Sequence, residues 1–307
     1  MPGRMGLRLS LRVTIRTIPT DLPRAFVTFA RPTALPMNQN QLSLPTRLFR
    51  LPIRQSLQAV GDAGVRGVQL DLAREVNGPD WSTTALAELK RFAAEIGLTL
   101  QGGWIPLKQP LYEEQGLDTR LGAIRNAIQL AGKLRLGTVC FRPGRLPRID
   151  DEKTSPAEQK QHALLIEVLT DLARVAEHAG VTLCLIPSGD APAELKHVSS
   201  SISTGRVAID FDTASFAMNG VPVAESLVAL HGHLGHITLR DGVRDFQRGG
   251  IETAIGEGSV PWLEVVATLE EMDYRGWLTS MRTQGDDLVG DVLRSVNYFQ
   301  SILPRAF

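Results

Sequence analysis

The sequence lacks three features that would each point to a particular class of protein: a long apolar run, a net charge and a set of paired cysteines. No apolar stretch approaches the roughly 18 to 20 residues that span a bilayer, so we expect no membrane association. Basic and acidic residues both total 33, which leaves no global field to attract nucleic acid. The two cysteines, Cys140 and Cys184, lie in predicted buried strands, as core thiols of a reduced compartment do. This usage favours a cytoplasmic location.

The charges are unevenly distributed along the chain. Residues 1–36 contain six of the 33 basic residues and one of the 33 acidic ones, Asp21, so the remaining chain is mildly acidic. An arginine-rich, acid-poor leader has the composition of a transit peptide, and a start codon assigned upstream of a true start at Met37 would look the same. We therefore expect a basic, disordered leader or mis-assigned start over residues 1–40 and one folded domain over residues 41–307.

Short β-rich runs alternate with helical patterns from about residue 41 onward, which is typical of βαβ units that build a parallel sheet. Apolar residues recur at helical spacing over 81–96, and Gly97 follows as a stop signal. The weakest helical stretch is 188–206, where we expect a short or broken helix, and the glycine-rich loop 241–258 is a candidate lid. Eight strands are predicted, at 42–49, 67–71, 98–102, 138–142, 181–186, 207–212, 236–240 and 277–282.

Three segments in the last third of the chain end an apolar run with polar residues, where a barrel strand meets its loop. They read VAIDFDTASFAMNG (207–220), HITLRDG (236–242) and GEGSVPWLEVVATLEEMDYRGWLTSMR (256–282). Together they resemble the sugar phosphate isomerase/epimerase family, the metal-dependent barrels related to xylose isomerase. The resemblance covers about residues 41–303 and implies an α/β fold, a single (β/α)₈ TIM barrel, with its pocket at the carboxyl ends of the strands.

The same resemblance implies a metal site whose ligand positions are mostly replaced. Enzymes of this family hold one divalent cation with Glu, Asp, His and Glu from four strands. The matching positions here are Ile186 in LCLIP, Asp212 in FDTAS, Thr238 in HITLRD and Met281 in GWLTSMR. Apolar side chains do not bind a hard cation, so we expect no cofactor at the family site. A divalent metal (Mn, Mg or Zn) could bind only at a displaced site, with Asp210, Asp212, Asp241 and Glu257 as its candidate ligands.

Arginines offer the simplest partners for the carboxylates that remain. Arg142, Arg240 and Arg282 fall at strand ends, and strand parity places Arg240 on the face shared by Thr238, within reach of Asp212. Two interpretations stay open. The arginines either form a structural salt-bridge network in a retired site, or they bind an anionic sugar, since arginine binds phosphate and carboxylate in bidentate fashion.

Several further residues are site candidates. Asp212 is the candidate base, Arg240 the candidate electrophile, and Glu257 in the GEG motif a second base. Ser215 replaces a histidine that touches substrate in relatives, and Trp104 follows the third strand, where an aromatic residue stacks on a sugar or packs in the core. The expected substrate-binding set is Arg142, Trp104, Ser215, Asp241 and Arg282.

These observations support two functional hypotheses. The first is an isomerase- or epimerase-like barrel that binds a carbohydrate or sugar phosphate without the family metal. The second is a non-catalytic ligand sensor or partner subunit, which paired charges in the pocket would favour, whereas an unpaired Asp212 would favour the first. Relatives are often oligomeric, so a homo-oligomer is expected from the resemblance. A barrel endonuclease acting on abasic DNA is disfavoured, because its ligand cluster is missing and the body of the chain is acidic.

Overall fold

A computed structural model describes residues 41–76, 81–148, 154–245 and 249–303, which all belong to one compact unit, Leu35–Phe307. The predicted leader, residues 1–40, lies outside the described residues. The strands are β1 (Leu42–Pro45), β2 (Gly67–Asp71), β3 (Thr99–Trp104), β4 (Thr138–Phe141), β5 (Thr182–Leu185), β6 (Val207–Asp212), β7 (Leu234–Leu239), β8 (Asp241–Val243), β9 (Ile251–Thr253) and β10 (Leu278–Ser280). The helices are α1 (Ile53–Asp62), α2 (Thr83–Glu95), α3 (Leu117–Leu134), α4 (Pro156–Ala179), α5 (Pro192–Ser201), α6 (Thr213–Met218), α7 (Val223–Ala229), α8 (Trp262–Glu271) and α9 (Leu288–Ile302).

Eight parallel strands close into a barrel. Strands β1 to β7 pair in sequence order, and β10 pairs with both β7 and β1 to complete the ring. The helices cover the outside of the barrel, because each connection between two parallel strands crosses over through a helical segment. Each of the eight predicted strand regions overlaps one barrel strand, so the predicted (β/α)₈ TIM barrel is confirmed.

Alternation along the strands decides which residues enter the barrel. In β6, Ile209 and Phe211 join the large apolar core that includes the covering helices, while Asp210 and Asp212 point to the interior. A second, small apolar cluster contains Cys140, Cys184, Ile186 and Ala208. The interior of this barrel therefore combines a few small apolar side chains with polar ones.

The first strand is shorter than predicted. It ends at Pro45, and Thr46–Leu48 form a turn of 3₁₀ helix instead of continuing the strand to residue 49. Proline has no backbone N–H to give to the sheet, which makes it a natural last residue for this strand. The turn places Arg47 at the mouth of the barrel, where it lines the central cavity.

The predicted lid loop 241–258 contains an ordered hairpin. Strands β8 and β9 pair antiparallel, with Gly242 opposite Glu252. The hairpin turns Glu252 inward, where its side chain is almost fully buried.

The helices begin and end at the signals expected from sequence. Ser155 and Glu158 form a reciprocal capping box at the start of α4, and Gly180 ends that helix in the left-handed conformation with φ of 69°. The weak stretch 188–206 does contain a short helix, α5, which starts with Pro192 in its first turn. Among the described residues, no helix is both long and apolar enough to cross a bilayer.

Candidate functional site

A cavity of about 190 Å³ lies at the carboxyl ends of the barrel strands, the end where barrel enzymes place their active sites. Its wall combines arginines, aspartates, an indole ring and apolar side chains. The lining residues are Arg47, Trp104, Ile105, Pro106, Leu107, Arg142, Ile186, Asp210, Asp212, Thr238, Arg240, Met281 and Thr283. All four positions matched to the family ligands, Ile186, Asp212, Thr238 and Met281, are among them.

Asp212 sits at the centre of a buried charge network on one wall. Its Oδ2 accepts from Arg240 Nη1 at 2.6 Å and lies 3.8 Å from Arg142 Nη2. Its Oδ1 accepts from the backbone N–H of Ser215 at 3.4 Å, so the carboxylate also caps α6. The predicted Asp212–Arg240 ion pair is present in this network.

Arg240 bridges two acids. Its Nε donates to Glu252 Oε1 at 2.9 Å while Nη1 binds Asp212, and Thr283 accepts from Nη2 at 3.2 Å. Burial alone would lower the pKa of Arg240, but the two carboxylates outweigh it and raise that pKa above its ordinary value. Burial would raise the pKa of Glu252, and the hydrogen bond and charge of Arg240 lower it instead. Together with Arg142, this wall holds two guanidinium groups and two carboxylate groups, which balance in number.

Asp210 forms a second ion pair on the cavity floor. Its Oδ1 lies 2.8 Å from His236 Nδ1, and Thr238 Oγ1 donates to both carboxylate oxygens at 2.9 and 3.1 Å. Burial opposes ionisation of both partners, yet their mutual attraction lowers the pKa of Asp210 and raises that of His236 to about 10. At neutral pH the pair is charged.

The far side of His236 continues into a polar column inside the barrel. His236 Nε2 lies 2.7 Å from Thr279 Oγ1, which lies 2.5 Å from Ser43 Oγ. Gln101 Nε2 donates to both hydroxyl groups, at 3.2 and 3.3 Å. His236 was not among the site residues predicted from sequence, although its parity with Thr238 on β7 and with Arg240 just after that strand places it on the inward face.

Arg47 is the second residue that sequence analysis missed. Its guanidinium lies over the Trp104 ring, 4.1 Å from the ring centroid. Nη1 donates to Gln69 Oε1 at 2.8 Å, and Nη2 donates to Met281 Sδ at 2.7 Å. Burial lowers the pKa of Arg47 to about 10, despite the nearby charges of Asp71, Asp210 and Glu75. Its position directly after a barrel strand was the available signal.

The remaining predicted site residues lie apart from the cavity lining. Asp241 is fully buried and accepts from the backbone N–H groups of Gly242, Gly256, Gly258 and Val260 and from Trp262 Nε1, at 2.8 to 3.2 Å. A Cβ on Gly258 would lie 2.0 Å from Asp241 Oδ1, which explains that glycine of the GEG motif. Asp241 therefore organises the loop before α8.

Three further candidates lie outside the cavity lining. Glu257 is exposed on the loop before α8. Arg282 turns toward α9, with Nε 3.2 Å from Asp291 Oδ2. Ser215 is buried, and its hydroxyl donates to the carbonyl oxygen of Pro187 at 3.4 Å. The structure thus gathers Asp212, Arg240, Arg142 and Trp104 around the cavity and leaves these three outside its lining.

The donor atoms at the family ligand positions do not suit a hard divalent cation. Ile186 has no donor, Met281 offers a thioether, and the Thr238 hydroxyl donates to Asp210. Asp212 is the one carboxylate at these positions, and its Oδ2 already accepts from a guanidinium at 2.6 Å. A cation there would lie beside the positive charge of Arg240.

One other group in the described parts of the chain has metal-ligating atoms close together. Atoms of Cys140, Asp210 and His236 lie within 4.8 Å of one another. Asp210 and His236 are already bonded to each other, and burial raises the pKa of the Cys140 thiol well above its ordinary value. The group therefore rests as an ion pair beside a protonated thiol, and it is a weak candidate for a displaced metal site.

These features define the class of protein: a parallel (β/α)₈ barrel with a charged cavity at its mouth. The chain belongs to the xylose isomerase-like TIM barrel family, whose sequence model matches residues 57–301. Members of this family are usually dependent on a divalent metal. No match was found among curated proteins.

Solved structures with the same fold include carbohydrate epimerases. A xylose isomerase domain protein from Planctomyces limnophilus is 19% identical with a TM-score of 0.70, over 80% of this chain and 91% of that one. D-psicose 3-epimerase from Clostridium cellulolyticum H10 is 16% identical with a TM-score of 0.67, and the match covers 86% of this chain and 99% of that one. 3-Keto-D-glucoside 4-epimerase from E. coli is 14% identical with a TM-score of 0.68, and the match covers 85% of this chain and 99% of that one. At these identities the likeness establishes the fold.

Proposed function

We propose that this protein binds an anionic carbohydrate in the cavity at the barrel mouth, and that it does so without the divalent cation of its family. One observation carries the proposal: arginine side chains and Trp104 line the same cavity as the four positions matched to the family metal ligands. Arginine suits carboxylate and phosphate groups, and an indole face suits the apolar face of a sugar ring. The epimerases among the structural neighbours support a carbohydrate as the ligand class.

Arg142 is the arginine on the Asp212 wall that is open to a ligand. Its side chain is 46% exposed, whereas that of Arg240 is 10% exposed. Its 3.8 Å contact with Asp212 is long for an ion pair, so the guanidinium can turn toward a ligand at little cost. Arg240 is held by two carboxylates and contributes to the shape and charge of the wall.

An isomerase or epimerase reaction in this cavity would use Asp212 as the base. Arg240 would then stabilise the negative charge that develops on the sugar carbonyl oxygen, which is the service a cation provides in metal-dependent relatives. For this role Asp212 must exchange its contact with Arg240 for one with the substrate. Glu257, Ser215, Asp241 and Arg282 remain predictions for substrate contact, and they are weaker ones because their side chains have other partners or lie away from the cavity lining.

A second candidate function, a non-catalytic ligand sensor or partner subunit, is favoured by the pairing of Asp212. An ion pair at 2.6 Å occupies the oxygen that a proton-abstracting base would need. Asp210 is occupied in the same way by His236 and Thr238. Binding of an anionic carbohydrate is common to both functions, and only the turnover of an added ligand separates them.

The absence of the family cation is tested by elemental analysis of protein purified without chelator or a metal-binding tag. Mn²⁺ is then titrated while the melting temperature is followed in the wild type, in Asp212→Ala and in the control Asp62→Ala, which changes an exposed acid. We expect no stoichiometric metal and no Asp212-dependent shift. About one equivalent of metal, with a rise in melting temperature that only Asp212→Ala abolishes, would restore metal-assisted isomerisation as the leading function.

We also propose that the protein works in the cytoplasm as a homo-oligomer. Both cysteines are free and buried, which supports a reducing compartment. Fractionation of source cells and light scattering of the purified chain test these two statements. Location in a disulfide-competent compartment would contradict the cytoplasmic assignment. A monodisperse monomer would contradict the homo-oligomer.

A further inference from the structure

The charged side chains around the cavity are paired, with one exception. Asp210 is matched by His236, while Asp212 and Glu252 are matched by Arg240 and Arg142. Arg47 lines the same cavity, and no carboxylate oxygen in the described parts of the chain lies within 4.0 Å of its guanidinium nitrogens. These pairs balance, and Arg47 is left as a cavity-lining cation that no carboxylate contacts directly within the described residues; Asp71, Asp210 and Glu75 act on it from farther away.

The contacts of Arg47 are all with neutral groups. The amide oxygen of Gln69 and the thioether of Met281 each accept one hydrogen bond, and the indole of Trp104 lies against the guanidinium face. Nε has no hydrogen-bond partner within the described ranges. A guanidinium presents five N–H donors, so several are available to a ligand. Sulfur is a weak acceptor, which makes the Met281 contact easy to replace.

The unfavourable free energy of burying the Arg47 guanidinium indicates a functional role for its charge. A cation removed from water without a carboxylate in direct contact is unfavourable, and burial lowers the pKa of Arg47 even though Asp71, Asp210 and Glu75 oppose that change from farther away. The pKa of about 10 still leaves Arg47 charged at neutral pH. A fold that needed only packing at this position would be served by an apolar side chain of similar length.

We propose that Arg47 is the anion-binding residue of this cavity and that it takes the single carboxylate of a sugar acid, with Trp104 supporting both the guanidinium and the sugar. This inference rests on the proposed function and assigns the substrate class. It differs from the expectation based on sequence, which gave the anion to Arg142, Arg240 and Arg282. Of those three, Arg240 and Arg282 are committed to acids of the protein at 2.6 to 3.2 Å.

Charge and size favour a carboxylate over a phosphate ester. A sugar carboxylate carries one negative charge at neutral pH, which suits a single guanidinium that lacks a contacting carboxylate, whereas a phosphate ester carries about 1.5 to 2. A carboxylate also matches the planar fork of a guanidinium with two parallel hydrogen bonds. The cavity of about 190 Å³ suits a single monosaccharide.

Isothermal titration of the full chain tests the inference with three sets of probes: five- and six-carbon aldonates and uronates, the matching neutral sugars, and the matching sugar phosphates. The variant Arg47→Met removes the charge and keeps most of the volume. The control Arg54→Met removes an exposed arginine that also lies over an aromatic ring, 5.2 Å from the centroid of Phe92, outside the cavity. Arg47→Lys keeps the charge and removes the planar fork.

We expect at least one sugar acid to bind the wild type and the Arg54→Met control equally, and to bind Arg47→Met about 10-fold or more weakly. Arg47→Lys should fall between them, and the weaker affinity for the matching neutral sugar should change less than about twofold in Arg47→Met. The melting temperature of Arg47→Met should equal or exceed that of the wild type, because the variant loses an unmatched buried charge. A marked fall in melting temperature would instead assign Arg47 a structural role.

Two results would overturn the inference while leaving the proposed function intact. Equal binding of a sugar acid to the wild type and Arg47→Met would show that another residue holds the anion. Tighter binding of sugar phosphates than of sugar acids, by the wild type, would reject the carboxylate assignment. If no anionic sugar binds the wild type at all, the proposed function fails and this inference fails with it.

Discussion

Replacing Asp210 with asparagine should destabilise the barrel strongly. The Asp210 carboxylate is 1% exposed and accepts hydrogen bonds from His236 at 2.8 Å and from Thr238 at 2.9 and 3.1 Å. The substitution preserves size and one acceptor, but it removes the negative charge that faces a buried imidazolium. His236 must then either stay charged without a partner or lose its proton inside the barrel.

The expected loss of stability is about 3 to 5 kcal/mol, the range for removing one partner of a buried ion pair. That is a large part of the roughly 5 to 15 kcal/mol that keeps a typical protein folded. For a domain of this size it corresponds to a fall in melting temperature of about 6 to 20 °C. Asp62→Asn is the matched control, because it removes an exposed carboxylate whose hydrogen bond among the described residues comes from Gln58. We expect this control to change the free energy of unfolding by less than about 0.5 kcal/mol.

The difference between the wild type and Asp210→Asn should depend on pH in a defined direction. The pKa of His236 rises on folding from 6.5 to about 10, so its contribution to stability is complete below pH 6.5 and is lost as the pH rises toward 10. The pKa of Asp210 is lowered from 3.8, so its contribution is present above that pH and is lost in acid. The destabilisation should therefore be largest between about pH 4 and 6.5 and should shrink steadily above it.

Urea unfolding at pH 5.5, 7 and 9 measures this difference, with circular dichroism to follow the helices. A loss below about 1 kcal/mol at pH 5.5 would show that the pair contributes little beyond neutral hydrogen bonds. A loss that is the same at all three pH values would refute the assignment of an ionised His236. Either result would also remove the argument that the pair cancels within the charge balance of the cavity.

Two other substitutions test the remaining networks. Arg240→Met leaves Asp212 and Glu252 buried without their shared guanidinium, so we expect the free energy of unfolding in urea to fall by about 3 to 5 kcal/mol. Mn²⁺ should raise the melting temperature of this variant, whereas it should leave that of the wild type unchanged. If Mn²⁺ leaves the variant unaffected as well, the guanidinium is not what excludes a cation. Asp241→Asn replaces a carboxylate that accepts hydrogen bonds from five N–H groups with a neutral amide. Hydrogen exchange should therefore accelerate in the loop before α8 while the barrel strands stay protected. Unchanged exchange in that loop would contradict the role of Asp241 in ordering it.

Much of the framework of the cavity could be predicted from sequence because strand parity is a local property. Residues two apart on one strand share a face, so parity alone places Asp210 with Asp212, and Thr238 with Arg240, in the barrel interior. Consecutive strands of a (β/α)₈ barrel are neighbours, which places β6 beside β7. The contact between Asp212 and Arg240 followed from those two facts.

Long side chains and turns were the parts that could not be predicted. Whether Arg282 reaches the cavity or turns to Asp291 depends on the position of α9, which no spacing within the eighth strand reveals. Arg47 lies on a 3₁₀ turn that was expected to be strand, so strand parity does not describe where its side chain lies. Asp241 was expected to face a ligand, but the loop before α8 folds back and surrounds it with N–H donors.

The sequence by itself determined the alternation of strands and helices, because this depends on residue type and local periodicity. Its motifs, through their resemblance to a known family, indicated the barrel, the family and the replacement of three of the four family ligands. Only the tertiary structure decided the partners of Arg47, His236 and Arg282. Barrel closure brings Arg47 of the first turn over Trp104 of the third strand and beside Met281 after the last one. It also pairs the acids of β6 with His236 and Arg240, and it leaves Arg47 without a directly contacting carboxylate among the described residues. Such a balance is set by distances of a few ångströms between residues far apart in the chain, where Coulomb energies in a low dielectric change steeply.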